Sequence, residues 1–284
     1  MKKLLSILIF SCFVATVSYA QIGESTVLDG VYIKENTPNR RVIPYPHLRE
    51  ADVQWSKRVW RELDLKQKIN HPLYYPLKPA QGKKSLFDVI KDGIIKTSEL
   101  TAYYTGDLGD DDMFTRELTP AEIMSILQDT VIQYAEDPDT GEMIETKTVT
   151  EVTSEQITRY EVKEDWFFDR QRSVLDVRII GICPKVAEKD EFGEFKGYKR
   201  LFWIYFPEAR YVFSNVDVHN RFSDAERRTY EDIFWKRQFT SYIIKESNPY
   251  DRFIAEYKVG LDALLEAESI KKDIFDYEQN KWHY

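Results

Sequence analysis

The sequence predicts an α+β protein: an antiparallel β-sheet core flanked by helices, with an extended, helix-containing N-terminal arm. Three observations support this class. Helical spacing and capping residues occur before the middle of the chain, strand-like segments dominate from about Val131 to Val218, and helical spacing returns near the C-terminus. Helices, then hairpin-connected strands, then helices again are typical of α+β folds.

Residues 1–20 have the pattern of a secretory signal peptide. Lys2 and Lys3 form a basic start, Leu4–Val17 is apolar, and Ser18 and Ala20 are small residues at the −3 and −1 positions of a cleavage site. The apolar run is shorter than the roughly 20 residues of a membrane-spanning helix. We therefore expect export, with cleavage after Ala20.

The positions of the two cysteines bear on how the chain is processed and on whether it can form a disulfide. Cleavage at Cys12, as in a lipoprotein, is the less favoured alternative because bulky Phe10 lies beside that cleavage point. Cleavage after Ala20 leaves only Cys183, which excludes an intrachain disulfide. Cys183 lies on the apolar face of a predicted strand just before Pro184, so a buried, unreactive thiol is expected.

Charge divides the chain into a basic arm, residues 21–84, and an acidic body, residues 85–284. Lys34–Lys84 contains 12 Lys/Arg against 5 Asp/Glu, a balance of +7, whereas Ser85–Tyr284 has 26 against 41, a balance of −15. Opposite charges attract one surface to another, within a chain or between neighbouring molecules. An acidic, exported chain is a poor ligand for nucleic acid.

The arm begins with an extended lead-in and continues as a predicted helix at about residues 48–66. A stripe at helical spacing supports the helix, and it consists of Leu48, Ala51, Trp55, Val59 and Leu63. Val53 and Trp60 form a second apolar stripe on the opposite side. A helix with two apolar sides needs two partners to cover them, either both in its own domain or one on a neighbouring molecule.

A proline- and tyrosine-rich tail follows the predicted helix. His71–Pro79 contains three prolines and cannot be regular helix, so it should run extended and lay two tyrosines on a surface. Together, helix and tail suit docking to another protein. The residues predicted to contact partners are Val53, Trp55, Arg58, Trp60, Arg61, Tyr74 and Tyr75.

The body opens with two predicted helices. Ser85 caps the first, over residues 85–95, and Thr119 and Glu122 form a capping box with Pro120 at the start of the second. Between the helices lies an acidic cluster, Asp107–Asp112. A solvated loop is the expected role for this cluster, with a divalent ion or a basic partner as the alternative.

Strands are predicted next. Asp137–Gly141 is typical of a hairpin turn, and a threonine-rich strand follows it. Ser173–Cys183 is a strand with one apolar face. Leu201–Phe206 is apolar on both faces and should be covered on both sides. The glycine- and charge-rich stretch Glu188–Lys199 is predicted to be the exposed loop that joins these two strands.

Two helices are predicted to complete the chain. Ser223 and Glu226 are predicted to form a capping box at the start of the first, which runs to about Gln238. The second extends from about Val259 to Tyr277, with Leu264, Ala267, Ile270 and Ile274 on one side.

Motifs for catalysis or metal binding are missing from the sequence. The four histidines are far apart in the sequence, and Asp217 and His219 offer two ligands without a third nearby. Neither a nucleophile elbow nor a phosphate loop occurs. Carboxylate pairs are too frequent in so acidic a chain for a hydrolytic dyad to be identified without geometry. No cofactor, no metal and no enzymatic activity are therefore expected.

Aromatic residues are abundant in the strand region and most should be core. Exposed ones would suit a protein interface or the stacking of sugars. The sequence thus leaves a second possibility, a secreted cell-wall or polysaccharide-binding protein, which could be a hydrolase.

Four blocks of the sequence together resemble one known family. The blocks are Trp55–Pro76 (WSKRVWRELDLKQKINHPLYYP), Glu164–Pro184 (EDWFFDRQRSVLDVRIIGICP), Leu201–Asn220 (LFWIYFPEARYVFSNVDVHN) and Asn248–Ile254 (NPYDRFI). They are similar to the GldN/PorN family, periplasmic ring components of the type IX secretion and gliding-motility machinery.

This resemblance implies a periplasmic protein held at the outer membrane by a ring lipoprotein of the GldK/PorK type. It also implies contact with the periplasmic domain of the GldM/PorM motor protein and with neighbouring copies of the chain. The expected role is support of protein secretion and of surface adhesin movement, without a membrane span of its own.

Overall fold

An antiparallel sheet forms the centre of the computed structural model, which describes residues 40–80, 82–107, 109–136, 143–189, 194–223 and 225–281. Within these ranges there are nine strands: β1 Val53–Asp64, β2 Ala102–Tyr103, β3 Gln128–Glu136, β4 Met143–Glu151, β5 Ile157–Asp169, β6 Val174–Lys189, β7 Phe195–Arg200, β8 Trp203–Tyr205 and β9 Tyr242–Glu246. Seven of them form the main sheet, in the order β2-β8-β6-β5-β1-β9, with β7 also paired to β6. The α+β class and its antiparallel core are confirmed.

The remaining two strands, β3 and β4, form a separate two-stranded sheet. They pair in register from Gln128↔Glu151 to Glu136↔Met143, as a hairpin does. The hairpin turn predicted at Asp137–Gly141 lies outside the described residues, as do the signal peptide at residues 1–20 and the lead-in up to residue 39.

Helices surround the main sheet. In the described ranges they are α1 His71–Tyr74, α2 Leu86–Ile95, α3 Pro120–Leu127, α4 Phe206–Phe213, α5 Tyr230–Trp235, α6 Ile254–Tyr257 and α7 Leu261–Asn280, with short 3₁₀ turns at Glu50–Asp52 and Lys68–Asn70. Ser85 caps α2 by accepting from the Asp88 N–H, and Thr119 and Glu122 form a capping box at α3. Both predicted helix starts are confirmed.

The helix predicted at about residues 48–66 is wrong. Its central part is strand β1, which lies between β5 and β9 and pairs with β5 from Val53↔Asp169 to Asp64↔Arg159. The residues spaced by four that indicated a helix, Trp55, Val59 and Leu63, also share one face of a strand, because side chains alternate with a period of two. This part of the predicted arm is therefore a central element of the body.

The interior has a large apolar part and a charged part. Leu63, Tyr160, Ile182, Phe213 and Phe234 are among the fully buried residues of the main apolar cluster. A second cluster joins Val59 of β1 and Ile243 of β9 to the underside of α7, whose buried residues are Ala267, Ile270 and Ile274. The opposite face of β1 carries Trp60 and Glu62, and there the buried groups are mostly charged.

The tail His71–Pro79, predicted to run extended, begins instead with the short helix α1, His71–Tyr74, because Pro72 stands in its first turn, where proline is tolerated.

Three further boundaries differ from the predictions. Part of the predicted loop Glu188–Lys199 is strand β7, which pairs with β6 at Lys185↔Arg200. The predicted strand Leu201–Phe206 shortens to β8, because Pro207 stands in the first turn of helix α4. Helix α5 begins at Tyr230 and is capped by Thr229 with Asp232, not by Ser223.

Candidate protein-interaction site

The seven residues predicted to contact partners do not share one surface. Trp55 and Arg61 lie on the α7 side of β1, whereas Arg58 and Trp60 lie on the opposite side, because neighbouring residues of a strand alternate. Val53 and Trp55 are half-buried, and the Trp55 ring stacks on Tyr277 of α7 with centroids 4.5 Å apart. β1 therefore contributes little continuous surface to a partner.

Trp60 is an internal anchor. It is buried, and its indole Nε1 donates to Asp112 Oδ2 at 2.6 Å. The Lys245 ammonium lies 4.5 Å from the centre of the Trp60 ring, within the range of a cation–π contact. Lys163 Nζ in turn donates to the Asp112 carbonyl oxygen at 2.7 Å. Trp60 thus fastens the acidic loop to the sheet and offers little area to another molecule.

Two residues of the acidic cluster Asp107–Asp112 accept hydrogen bonds from groups within the chain. Asp112 accepts from Trp60, and Asp111 accepts from the Met113 N–H and the Thr115 hydroxyl. Those bonds hold the pKa of Asp111 below its usual value, the Met113 N–H contributing most. These hydrogen bonds within the chain organise the loop.

The basic charge of residues 34–84 is balanced in part by the acidic body of the same chain. Arg58 forms a two-bond pair with Asp165 at 2.6 and 2.7 Å, and this hydrogen bonding raises the pKa of Arg58. Other basic residues of this segment also pair with carboxylates of the body, namely in Arg40–Asp232, Lys57–Glu246 and Lys84–Asp92. Opposite charges along the sequence thus indicated contacts within the molecule at these positions.

The sheet interior beside Trp60 contains a network of buried charges. Glu62 of β1 and Glu161 of β5 are cross-strand neighbours. Lys185 Nζ lies 2.6 Å from Glu62 and 3.3 Å from Glu161. Arg200 donates twice to Glu161, at 2.9 and 2.7 Å, and Glu62 also accepts from Arg159 and from the Tyr242 hydroxyl. Each carboxylate therefore has cationic partners.

This pairing argues against a hydrolytic dyad at Glu62 and Glu161. Burial alone would raise the pKa of Glu62, but the Lys185 ammonium, the Tyr242 hydroxyl and Arg159 together hold it below its usual value. A glycosidase general acid requires the opposite, a carboxyl that keeps its proton near neutral pH. The cavity of about 320 Å³ that Glu62 lines is also lined by Arg159 and Lys185. Its geometry suits structural ion pairing.

Tyr74 and Tyr75 belong to a separate surface feature. Tyr74 donates its hydroxyl to the Glu155 carbonyl at 3.1 Å, and its ring meets that of Tyr75 edge to face at 5.0 Å. Tyr75 is exposed and lines a groove of about 810 Å³. The described residues that line it are Lys68, Ile69, His71, Pro72, Tyr75, Pro76, Leu77, His219, Asn220, Arg221, Phe222, Glu226 and Arg228.

This His71/His219 groove has the composition of a protein-docking site. Phe222 is 84% exposed and Ile69 is also exposed, so apolar surface lies open beside the groove. Among the described residues that line the groove, the three cations Lys68, Arg221 and Arg228 outnumber the one carboxylate, Glu226. Aromatic residues and arginine are enriched where proteins bind each other. Sequence reasoning found Tyr75 but missed the second wall, because His219–Arg228 lies about 150 residues further along the chain.

Other reactive groups are not arranged for chemistry. Burial raises the pKa of the Cys183 thiol to about 12, which keeps it neutral and unreactive. In the ranges that the structure describes, no group of three or more His, Cys, Asp or Glu could hold a metal ion. No helix in those ranges combines the length and apolar character needed to cross a membrane.

The chain matches one known protein family over most of its length. The model of the family described as "Gliding motility associated protein GldN" matches residues 48–283. The chain belongs to the GldN family. Comparison with curated proteins finds no match. In this GldN family member the matched range begins just before β1 and includes the main sheet, both walls of the His71/His219 groove and α7. The family's association with gliding motility therefore applies to the described fold from residue 48 onward.

Proposed function

We propose that this chain is a non-enzymatic structural component of the periplasmic ring beneath the outer membrane in the type IX secretion and gliding-motility machinery. The family match over residues 48–283 carries the proposal. In this role the protein supports secretion of cargo and movement of surface adhesins. The signal-peptide pattern of residues 1–20 supports export to the periplasm.

The proposed partners are those implied by the family: a ring lipoprotein of the GldK/PorK type, the periplasmic domain of the GldM/PorM motor protein, and neighbouring copies of the chain. Association with the outer membrane would then be peripheral, through the lipoprotein. The paired state of Glu62 and Glu161 supports an assembly role over a hydrolytic one.

The His71/His219 groove is the proposed docking site for the lipoprotein. Its exposed aromatic rings Tyr75 and Phe222 would serve as anchors, and its excess of Lys and Arg suits an acidic, apolar segment of the partner. Among the residues predicted from sequence, the docking role thus rests on Tyr75, with Tyr74 holding its ring in place. Trp60 and Arg61 are buried, so they act from inside the fold.

Point variants test this role better than deletion of the basic segment. Removing residues 34–84 would remove β1 from between β5 and β9 and unfold the sheet. The test is co-purification of the lipoprotein from detergent-solubilised envelope with the double variant Tyr75→Ala/Phe222→Asp. Aromatic hot spots contribute about 2 kcal/mol or more each, so we expect recovery of the lipoprotein to fall at least tenfold.

Phe195→Asp is the matched control, since Phe195 is an exposed phenylalanine outside the groove. It should leave recovery unchanged. Equal recovery with the groove variant and the wild type would contradict docking at the groove. Failure of the wild type itself to recover any ring protein would contradict the ring function.

A further inference from the structure

A second cavity lies on the α7 side of the sheet. It has a volume of about 530 Å³, which is within the usual range for small-molecule sites. Arg61 of β1, Trp166 of β5 and Leu175 of β6 line one side, and α7 lines the other with residues between Glu268 and Glu278. The cavity therefore lies between three neighbouring strands and the last helix, and Arg237 also lines it.

Arg61 is the unusual group in this cavity. It is only 9% exposed, and its guanidinium donates to Ser241, to Oγ at 2.8 Å and to the carbonyl oxygen at 3.4 Å. Among the ion pairs of the described residues, none involves Arg61. Burial lowers the pKa of Arg61, the charge of Glu164 raises it, that of Arg237 lowers it, and that of Glu268 on α7 raises it by a smaller amount. A buried cation without a contacting carboxylate is costly for a fold to retain.

The carboxylate with the largest charge effect on Arg61, that of Glu164, is already paired with another cation. Glu164 is fully buried, and both its oxygens accept from Arg237 Nη2, at 2.9 and 3.1 Å. Glu164 Oε2 also lies 3.2 Å from the Trp166 Nε1 donor. Glu164 is thus paired with Arg237, whereas no ion pair of the described residues involves Arg61. The described residues that line the cavity include four cations, Arg61, Arg237, Lys271 and Lys272, and two carboxylates, Glu268 and Glu278. This excess of positive charge is what a bound anion would offset.

The apolar residues that line the cavity indicate the chemistry of the part of the ligand beyond its anionic group. Trp166, Leu175, Ile274 and Phe275 present apolar surface, and Phe275 is 60% exposed. Arg237 lies over the Trp166 ring, 5.4 Å from its centroid, which holds that ring in place. A planar carboxylate matches the fork of donors on arginine.

We infer that this cavity binds the carboxylate of a molecule with an aromatic or branched aliphatic body, with Arg61 receiving the carboxylate and Trp166 and Phe275 enclosing the body. The same chemistry occurs in a free acid and at the C-terminal residue of a polypeptide. The site is separate from the His71/His219 groove, and it does not depend on the proposed function.

Isothermal titration of the full chain with N-acetyl-L-phenylalanine tests the site, with N-acetyl-L-phenylalaninamide as the uncharged counterpart. Charge-assisted hydrogen bonds to arginine predict that the acid binds at least about tenfold more tightly than the amide. A peptide ending in phenylalanine with a free carboxylate separates the two sources. Binding of this peptide indicates a chain end as the ligand, and its exclusion indicates a small acid.

Three variants complete the test. Arg61→Gln should abolish the preference for the acid, and Phe275→Ala, at an exposed position that does not endanger folding, should weaken acid and amide alike. Arg58→Gln is the matched control, because Arg58 lies on the opposite face of the same strand and pairs with Asp165. Equal binding of acid and amide by the wild type, absence of binding by either, or an unchanged preference in Arg61→Gln would overturn the inference.

Discussion

Replacement of Glu62 by glutamine should destabilise the fold strongly, because Glu62 neutralises two cations within the sheet. The substitution keeps the shape of the side chain but removes its charge. Lys185 then loses a partner at 2.6 Å but retains Glu161 at 3.3 Å, and Arg159, 26% exposed, can turn to water. Breaking a buried ion pair costs roughly 3–5 kcal/mol, and the retained Glu161 points to the lower end, about 3 kcal/mol.

For a domain of this size, about 3 kcal/mol corresponds to a fall in melting temperature of roughly 6–12 °C. Urea denaturation followed by tryptophan fluorescence measures the free energy of unfolding, and the slope m should stay unchanged. Asp165→Asn is the matched control, since it removes a carboxylate charge from an exposed pair with Arg58. Exposed pairs contribute roughly 0–1 kcal/mol, so the control should change little.

The effect should also depend on pH. The pKa of Glu62 is lowered in the folded chain, so its contribution is complete above the ordinary value of 4.5 and is lost as pH falls through the folded value. The stability difference between wild type and Glu62→Gln should therefore be largest near pH 7 and shrink in acid. A difference that is the same at pH 7 and in acid, or a loss in Asp165→Asn equal to that in Glu62→Gln, would refute this reasoning.

Other consequences can be checked directly. Cys183 should react with Ellman's reagent only on the time scale of unfolding, because its thiol is buried and its pKa is raised to about 12; fast reaction of the native chain would contradict this. Gly181→Ala would place a Cβ atom 2.6 Å from Phe114 Cζ, so overpacking should lower the free energy of unfolding by about 1–3 kcal/mol, as measured by urea denaturation. An unchanged denaturation midpoint would contradict this and show that the Phe114 ring moves aside without cost. Asp112→Ala removes the acceptor of the Trp60 indole, and hydrogen exchange of residues 104–107 and 109–117 should rise while that of β5 stays protected; unchanged exchange in the loop would contradict the anchoring role.

The contrast between α2 and β1 shows which secondary-structure elements can be predicted from sequence and which cannot. α2 is set by contacts within a few residues: Ser85 caps its first turn, and Phe87, Ile90 and Ile94 lie on one buried side. β1 is rich in Lys, Arg and Glu, which favour helices, and its apolar residues recur every fourth position. That spacing fits one face of a strand as well as one face of a helix. Only pairing with β5, about 100 residues later, selects the strand.

The candidate sites show the same limit. Tyr75 was recognisable from its proline-rich surroundings, but the wall formed by His219–Arg228 carries no local pattern that pairs it with His71–Leu77. The sequence predicted Arg61 to contact a partner because its segment was interpreted as a surface helix. In a strand it turns inward toward α7 and Ser241, and its role changes from surface contact to the base of a cavity.

By itself the sequence determined the α+β class, the GldN family resemblance, the capped helices α2 and α3, the long C-terminal helix and the buried state of Cys183. These features depend on neighbouring residues or on patterns repeated along a short segment. Tertiary structure alone decided that β1 lies inside the sheet, that Glu62 and Glu161 share Lys185, and that the groove and the Arg61 cavity exist. Each of these depends on contacts between segments far apart in the chain, and such contacts form only when the whole sheet is assembled.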